Sequence, residues 1–267
     1  MHHLWRRSLC AISAASLLSA CSTTSGFGVA KPVPGQVSQT ALPPVGFLAM
    51  CARLPEACYD SASKNDAGRI AETARGLAAQ LGGGRKTSKP AAIKPKSSWS
   101  ADNWAGFFRG ADTVVGLTKA RPGEANRPAV TPQLLSVLSQ VNDHVNRRTM
   151  SRSDQQIFGV PDYWALPFAN RAGPMGDCED FALQKRQLLI EQKIAPSALS
   201  IAIVKIGADN IHAVLLVDTD DGLFVLDSLS PRIIEARAAR YEWLEHQVSG
   251  EAFHWVSGRP WLTNAQG

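Results

Sequence analysis

The pattern of hydrophobic positions predicts two amphipathic helices in the first 150 residues. Apolar residues recur at helical spacing over 66–81, at Ile70, Ala74, Leu77 and Leu81. A second stripe predicts a helix over 131–150 and consists of Leu134, Leu135, Leu138, Val141 and Val145. Thr131-Pro132 marks the start of this second helix, because a capping residue followed by proline at the first helical position is a typical helix beginning.

A third helix and three strands follow. The turn-forming run 173–177 leads into a helix that should begin near Cys178, with Asp177 as N-cap and Asp180 as its capping-box partner. Alternating apolar residues then predict strands over 199–206, 210–217 and 223–229, and the segment 218–222 is a hairpin turn. Helices around an antiparallel sheet, with the helix of Cys178 packed on that sheet, give an α+β fold.

The first 20 residues have the layout of a secretory signal peptide. A positive start with Arg6 and Arg7 precedes an apolar stretch that ends in Leu18-Ser19-Ala20-Cys21. This ending is similar to the lipobox of bacterial lipoproteins, which predicts an acylated Cys21; plain cleavage after a small residue is the alternative. Ser22 after the cysteine favours the outer membrane over the inner one by bacterial sorting rules. The sequence thus predicts a periplasmic protein with a lipid anchor.

For the rest of the chain, the sequence predicts a tether followed by one domain. Residues 21–44 lack periodicity and are rich in Ser, Thr, Gly and Pro, which predicts a flexible tether. Residues 45–267 form the domain, interrupted by a disordered basic loop near 82–98 to which we assign no function. The formal net charge is a modest +5, and no basic helix with interleaved aromatic residues is present. These features exclude a nucleic-acid-binding protein.

The cysteines have separate roles. Cys51 and Cys58 are close in sequence in an exported protein, which predicts a local disulfide. Cys178 lies in the first turn of the third helix, where the free backbone N–H groups and the helix dipole lower the pKa of a thiol. On this evidence alone Cys178 is either an activated nucleophile or a small buried cysteine at a helix start.

The two strands after Cys178 carry a histidine and an aspartate that can pair. A two-residue loop at Thr219-Asp220, or a four-residue loop at 218–221, places His212 directly opposite Asp227. A register shifted by one pair places them diagonally on the same face. Either register lets the carboxylate orient the imidazole and stabilise its charge.

With these residues in place, the chain resembles the bacterial transglutaminase-like cysteine proteinases over about residues 45–256. The specific match is Gly176-Asp177-Cys178-Glu179-Asp180-Phe181-Ala182 with Lys185. The other matches are the segments 162–167, 212–215 and 226–227, and more weakly 51–58, 141–146 and 241–243. Ser228 departs from the family pattern, which has asparagine after the triad aspartate.

The resemblance implies a catalytic triad in which Cys178 is the nucleophile, His212 moves the proton and Asp227 holds the imidazole. It implies that the backbone N–H of Cys178 binds the oxyanion, with Trp164 as a candidate second donor. It also implies a calcium site at Asp177 and Glu179, to which Asp180 adds a third hard oxygen ligand. Helix capping by these acids is the alternative without a metal.

By the same resemblance we expect a cell-envelope cysteine endopeptidase that cuts a large surface adhesin in biofilm control. In that system an inner-membrane cyclic-dinucleotide receptor sequesters the protease. An acylated N-terminus departs from the best-known members, which are soluble in the periplasm. One alternative is a transglutaminase-like acyltransferase or amidase acting on envelope proteins or peptides. The other is a non-catalytic envelope scaffold. A protein without catalytic activity has no reason to keep all three triad residues, Cys178, His212 and Asp227.

Overall fold

The computed structural model describes residues 39–58, 64–81, 126–170 and 173–262. The predicted signal peptide, the lipidation site Cys21, most of the predicted tether and the predicted loop near 82–98 lie outside these residues. Within the described ranges, no helix has the length and apolar content that crossing a membrane requires.

Six α-helices are described. They are α1 (Val45–Arg53), α2 (Pro55–Cys58), α3 (Lys64–Gln80), α4 (Pro132–Arg148), α5 (Asp154–Ile157) and α6 (Cys178–Glu191). The helices predicted over 66–81 and 131–150 are thereby confirmed as α3 and α4. The Thr131 hydroxyl caps α4 by accepting a hydrogen bond from the Leu134 N–H at 3.1 Å. A disulfide joins Cys51 of α1 to Cys58 of α2, with a Cα–Cα distance of 5.4 Å.

The strands form a seven-stranded antiparallel sheet and a separate pair. The seven are β1 (Thr40–Ala41), β4 (Leu199–Ile206), β5 (Asn210–Thr219), β6 (Gly222–Leu226), β7 (Ile234–Glu235), β8 (Glu242–Gln247) and β9 (Trp255–Ser257), in the order β1-β9-β8-β4-β5-β6-β7. The pair is β2 (Met150–Ser151) with β3 (Met175–Gly176), which run parallel. This architecture confirms the α+β prediction. β1 falls within the predicted tether, so the sheet begins before residue 45.

The hairpin between β5 and β6 fixes the relation of His212 to Asp227. Thr219 pairs with Gly222, so the loop is Asp220-Asp221, and both predicted loops are wrong by one residue. Gly222 has φ 127°, a conformation in which glycine has no steric penalty. Because Leu215 pairs with Leu226, position 227 continues the register opposite Val214. His212 and Asp227 are therefore diagonal neighbours, as the shifted register predicted.

The sheet is covered on both faces. Leu215 and Val217 of β5 pack with the apolar stripes of α4 and α6. Val214 and Leu216, which alternate with them, pack on the opposite face against Trp243 and the segment 236–241. That segment leads from the edge strand β7 to β8 and passes β6, β5 and β4 on the way. The helix of Cys178 thus packs on the sheet, as the sequence predicts.

Candidate active site

Asp227 accepts three hydrogen bonds in a buried position just after β6. His212 Nε2 lies 2.6 Å from Oδ1, and the Leu229 N–H donates to the same oxygen at 2.9 Å. The Tyr241 hydroxyl donates to the other oxygen, Oδ2, at 2.5 Å. Burial by itself would raise the pKa of Asp227, but the hydrogen bond and charge of His212 and the two other donors leave that pKa lowered. The carboxylate is therefore ionised over the physiological pH range.

The pairing with Asp227 also determines which imidazole nitrogen is basic. His212 is only 5% exposed, and its Nε2 faces the ionised carboxylate. Nε2 therefore carries the proton in the neutral ring, and Nδ1 holds the lone pair that can accept another.

Cys178 lies at the helix terminus that the sequence predicts. It is the first residue of α6 and is 6% exposed. It belongs to the same apolar cluster as Ile211 and Ala213, the two neighbours of His212 in β5. The structure does not place a hydrogen bond between Cys178 and His212 in the described part of the chain. The form of Cys178 that concerns catalysis is its reduced thiol.

Trp164, the candidate oxyanion donor, lies deep in the core. It is 0% exposed, shares the apolar cluster of Cys178, and stacks edge-on against Phe47 with ring centroids 5.5 Å apart. Its Nε1–H is buried without an acceptor of good hydrogen-bond geometry. It nevertheless lies close to Asp162 and by itself would lower the pKa of that carboxyl. Burial has the larger effect, and the pKa of Asp162 is raised.

The three predicted metal ligands lie in an acidic cluster that also contains two carboxylates from elsewhere in the chain. The cluster consists of Asp154, Asp162, Asp177, Glu179 and Asp180. One carboxylate oxygen from each of Asp154, Asp162 and Glu179 lies within 4.8 Å of the others, and the same holds for Asp154, Asp177 and Asp180. Asp154 belongs to both groups, so it is central to the cluster.

Two of these acids do not cap the helix as predicted. Asp177 is the N-cap of α6 by position, but its side chain makes no capping hydrogen bond. Its Oδ2 instead accepts from the Asp154 N–H at 3.3 Å. Asp180 likewise closes no capping box, because its Oδ1 accepts from the Ala165 N–H at 2.6 Å. Both side chains point into the acidic cluster instead of back to the helix end.

Crowding and burial of the cluster raise the pKa of every member. Burial, followed by repulsion from Asp177, raises the pKa of Asp154 to about 8. Burial is also the main reason that the pKa values of Glu179 and Asp180 lie well above their usual range and that those of Asp162 and Asp177 are raised. Arg53 supplies a partial counter-charge; its guanidinium lies 3.7 Å from the ring centroid of Tyr163 and donates to the Trp164 carbonyl.

The acidic cluster offers the carboxylate oxygens that a hard cation such as Ca²⁺ binds. Four of its oxygens are buried and have no hydrogen-bond donor among the described residues: Oδ1 of Asp154, Asp162 and Asp177, and Oδ2 of Asp180. Buried polar atoms are rarely left unsatisfied, and an unpaired carboxylate is especially costly. Carboxylate oxygens in this number and at this spacing are the donor set that Ca²⁺ takes.

Close packing explains the glycine before Asp177. A Cβ at Gly176 would lie 2.6 Å from both Cβ and Oδ2 of Asp180, which is closer than two non-bonded atoms can approach. We expect Gly176→Ala to lower the free energy of unfolding by about 2 kcal/mol, because either α6 or β3 must shift. Urea denaturation of the two proteins would measure the change.

The matched control is Gly76→Ala in α3, where a Cβ meets no atom within 4 Å. Alanine there should raise the free energy of unfolding by up to about 1 kcal/mol, since glycine is a poor helix former. Equal stability of the wild type and Gly176→Ala would contradict the close contact with Asp180.

A cysteine at the start of a helix packed on an antiparallel sheet, with a buried His–Asp pair formed by one strand and the end of its neighbour, is the arrangement of transglutaminase-like cysteine peptidases. The family model described as "Bacterial transglutaminase-like cysteine proteinase BTLCP" matches residues 109–260, which is more than half of the chain. The protein belongs to this family and is a cysteine peptidase. The match includes every member of the acidic cluster together with Cys178, His212, Asp227 and Tyr241.

Solved structures similar to this chain include those of Legionella pneumophila LapG. The calcium-bound form is 25% identical, with a TM-score of 0.38, and the match covers 45% of this chain and 67% of LapG. The EGTA-treated form gives 25% identity, a TM-score of 0.38 and coverages of 44% and 64%. A third LapG structure is 26% identical, with a TM-score of 0.37, and the match covers 42% of this chain and 64% of LapG. No match was found among curated proteins.

Proposed function

We propose that this protein is a cell-envelope cysteine endopeptidase whose triad is Cys178, His212 and Asp227. The observation that carries the proposal is the buried His212–Asp227 pair at 2.6 Å, in which His212 belongs to β5, a strand that packs against the helix beginning at Cys178. Ile211 and Ala213, the neighbours of His212 in β5, share an apolar cluster with Cys178, so the start of α6 lies against the same stretch of this strand.

In the proposed reaction, Cys178 loses its proton to Nδ1 of His212, and the thiolate attacks the substrate carbonyl carbon. The backbone N–H groups at the start of α6 donate hydrogen bonds to the carbonyl oxygen as negative charge develops on it. His212 then gives its proton to the leaving amine, and a thioester remains on Cys178. His212 next takes a proton from water as the water attacks the thioester, which releases the acid and restores the thiol. Asp227 remains ionised and balances the imidazolium.

We further propose that the acidic cluster is a calcium site, supported by the four unsatisfied carboxylate oxygens. Asp154, Asp162, Asp177, Glu179 and Asp180 would supply the ligands, which extends the predicted set by two residues. A divalent cation held there would neutralise negative charge next to Cys178, which otherwise disfavours a thiolate. Glu179 lies beside the sulfur, with its Oε2 3.2 Å from Sγ.

Family membership supports the choice of substrate and compartment. We propose that the substrate is a large surface adhesin, cut near its membrane-proximal end during biofilm control, and that an inner-membrane cyclic-dinucleotide receptor regulates the protease. The signal peptide at 1–20, an acylated Cys21, the tether over 21–44 and the domain over 45–267 remain part of this proposal. Trp164 remains a candidate second oxyanion donor, and packing in the apolar core is the role that its full burial favours.

The experiment is to incubate the reduced protein with purified membrane-proximal segments of a large adhesin from the same organism. We expect the wild type to cut the segment at one position and Cys178→Ala to leave it whole. A primary amine such as glycine ethyl ester, added in excess, reports on the alternative activity. An amine-capped product formed in place of the hydrolysed one would favour an acyltransferase, whereas a minor capped product is expected of a peptidase. Intact adhesin in all samples would contradict the adhesin as substrate.

A further inference from the structure

The second oxygen of Asp227 has a donor that the proposed triad does not use. Oδ1 faces His212 and the Leu229 N–H, whereas Oδ2 receives the hydroxyl of Tyr241 at 2.5 Å. A carboxylate bound through one oxygen can rotate about its Cβ–Cγ bond, because this torsion has only broad minima. A second donor on the other oxygen restricts that rotation and fixes the plane in which Oδ1 meets the imidazole.

The fold holds Tyr241 in place for this contact. Tyr241 is the last residue of the segment that passes from β7 over the sheet, immediately before β8 begins at Glu242. Its ring packs edge-on against Trp243 at 5.6 Å, and Trp243 packs in the same way against Trp261 at 5.6 Å. Two successive aromatic contacts therefore orient the ring and aim its hydroxyl at Asp227.

The hydroxyl is a donor at every relevant pH. Burial, together with the negative charge of Asp227, raises the pKa of Tyr241 far above its ordinary value. The groups that face Asp227 are His212 from β5, Tyr241 from the crossing segment and Lys185 from α6. Burial lowers the pKa of Lys185 to about 7, and the charge of Asp227 partly opposes that effect. The Asn146 side chain of α4 donates to the Asp227 backbone carbonyl at 2.9 Å. It therefore fixes the backbone at Asp227 and makes no bond to the carboxylate.

We propose that Tyr241 is a positioning residue of the active site, which acts by fixing the Asp227 carboxylate against His212. The inference rests on the proposed triad. Tyr241 touches neither the substrate nor Cys178 in this account, and it affects the thiol only through Asp227 and His212.

The test is a double-mutant cycle on the rate at which iodoacetamide alkylates Cys178. The full protein is reduced, and the Cys178 peptide is followed by mass spectrometry at pH 6. Tyr241→Phe keeps the ring and removes only the hydroxyl; we expect alkylation about threefold slower in the wild-type background, because one of the hydrogen bonds to a charged group is lost. In the Asp227→Ala background the same change should have no effect, because the acceptor is absent.

Two controls separate positioning from folding. Thr219→Val removes the hydroxyl bond to the Gly222 carbonyl in the hairpin, and it should leave the alkylation rate unchanged. A 4-aminophenylalanine at position 241 restores a donor of similar shape, and it should recover the wild-type rate even if Tyr241→Phe folds poorly.

The outcomes distinguish this inference from the proposed function. If Asp227→Ala and His212→Ala slow alkylation but Tyr241→Phe does not, the triad stands and the role of Tyr241 is refuted. An equal slowing by Tyr241→Phe in both backgrounds would mean that Tyr241 acts on the fold and would also refute it. If neither His212→Ala nor Asp227→Ala changes the rate, the triad itself fails.

Discussion

Replacement of His212 by alanine should reduce peptide-bond cleavage by about 10³-fold, because the reaction loses the group that moves the proton in both half-reactions. The same variant should slow iodoacetamide alkylation of Cys178 at pH 6 by about tenfold. An ordinary thiol with a pKa near 8.5 is mostly protonated at that pH, although the greater intrinsic nucleophilicity of its thiolate offsets part of the loss. Cleavage is measured on the adhesin segment, and alkylation needs no substrate.

The matched control is His254→Ala. His254 is an exposed histidine whose side chain pairs with Glu251 three residues earlier. Both rates should stay at the wild-type value in this variant. Alkylation that is equally fast in His212→Ala and in the wild type would show that the imidazole has no influence on Cys178, and the proposed triad would be wrong.

The second large effect concerns calcium, and we expect Asp154→Asn to have opposite effects on stability with and without the ion. In EGTA the variant should unfold at a higher temperature than the wild type. Burial raises the pKa of Asp154 to about 8, so folding must either protonate this carboxyl or bury its charge, and asparagine avoids both costs. In calcium the order should reverse. A ligand at about 100 times its Kd stabilises the wild type by about 2.7 kcal/mol, which raises Tm by several degrees, and the variant lacks an oxygen of both candidate groups.

Asparagine at position 154 can still accept the hydrogen bond from the Tyr163 N–H, so the local backbone is preserved. Glu191→Gln, at the exposed far end of α6, is the matched control and should behave like the wild type in both solutions. Calorimetric titration with CaCl₂ measures binding without reference to activity. No heat of binding in the wild type, and no effect of calcium on its Tm, would refute a calcium site at the acidic cluster.

The sequence was sufficient for those parts of the fold and site that depend on local patterns. The stripe from Leu134 to Val145 predicts α4, and the turn before Cys178 predicts where α6 begins. The hairpin turn brings His212 and Asp227 to one face in either register, so the pair was predictable although the loop was misplaced by one residue. Registers are set by the packing of a whole strand, which a turn motif alone does not determine.

Residues brought together by tertiary structure could not be predicted in this way. Asp154 begins a four-residue helix with a capping box, and nothing in that local pattern indicates a ligand. Asp162 belongs to a segment that matches the family, yet its contact with Gly46 of α1 depends on packing across more than a hundred residues. Tyr241 reaches Asp227 only because the chain passes over the sheet between β7 and β8.

Asp177 occupies the N-cap position as predicted, but for a related reason its side chain and that of Asp180 do not make the predicted capping hydrogen bonds. Propensity rules favour acids at a helix start, and here they occur at the expected positions. Neither side chain bonds the helix end, because Asp177 accepts from the Asp154 N–H and Asp180 from the Ala165 N–H. Hydrogen bonds to donors outside the helix thus take precedence over local capping.

The most direct test of the central claim is to trap the acyl-enzyme on Cys178. The reduced full-length protein is mixed with a biotinylated p-nitrophenyl ester, quenched in acid within the first turnover, digested and sequenced by mass spectrometry. We predict a thioester on Cys178 that hydroxylamine removes, and no such adduct in His212→Ala over the same time. Acylation spread over lysines and other cysteines, at the same rate in both proteins, would contradict the assignment of Cys178 as the nucleophile.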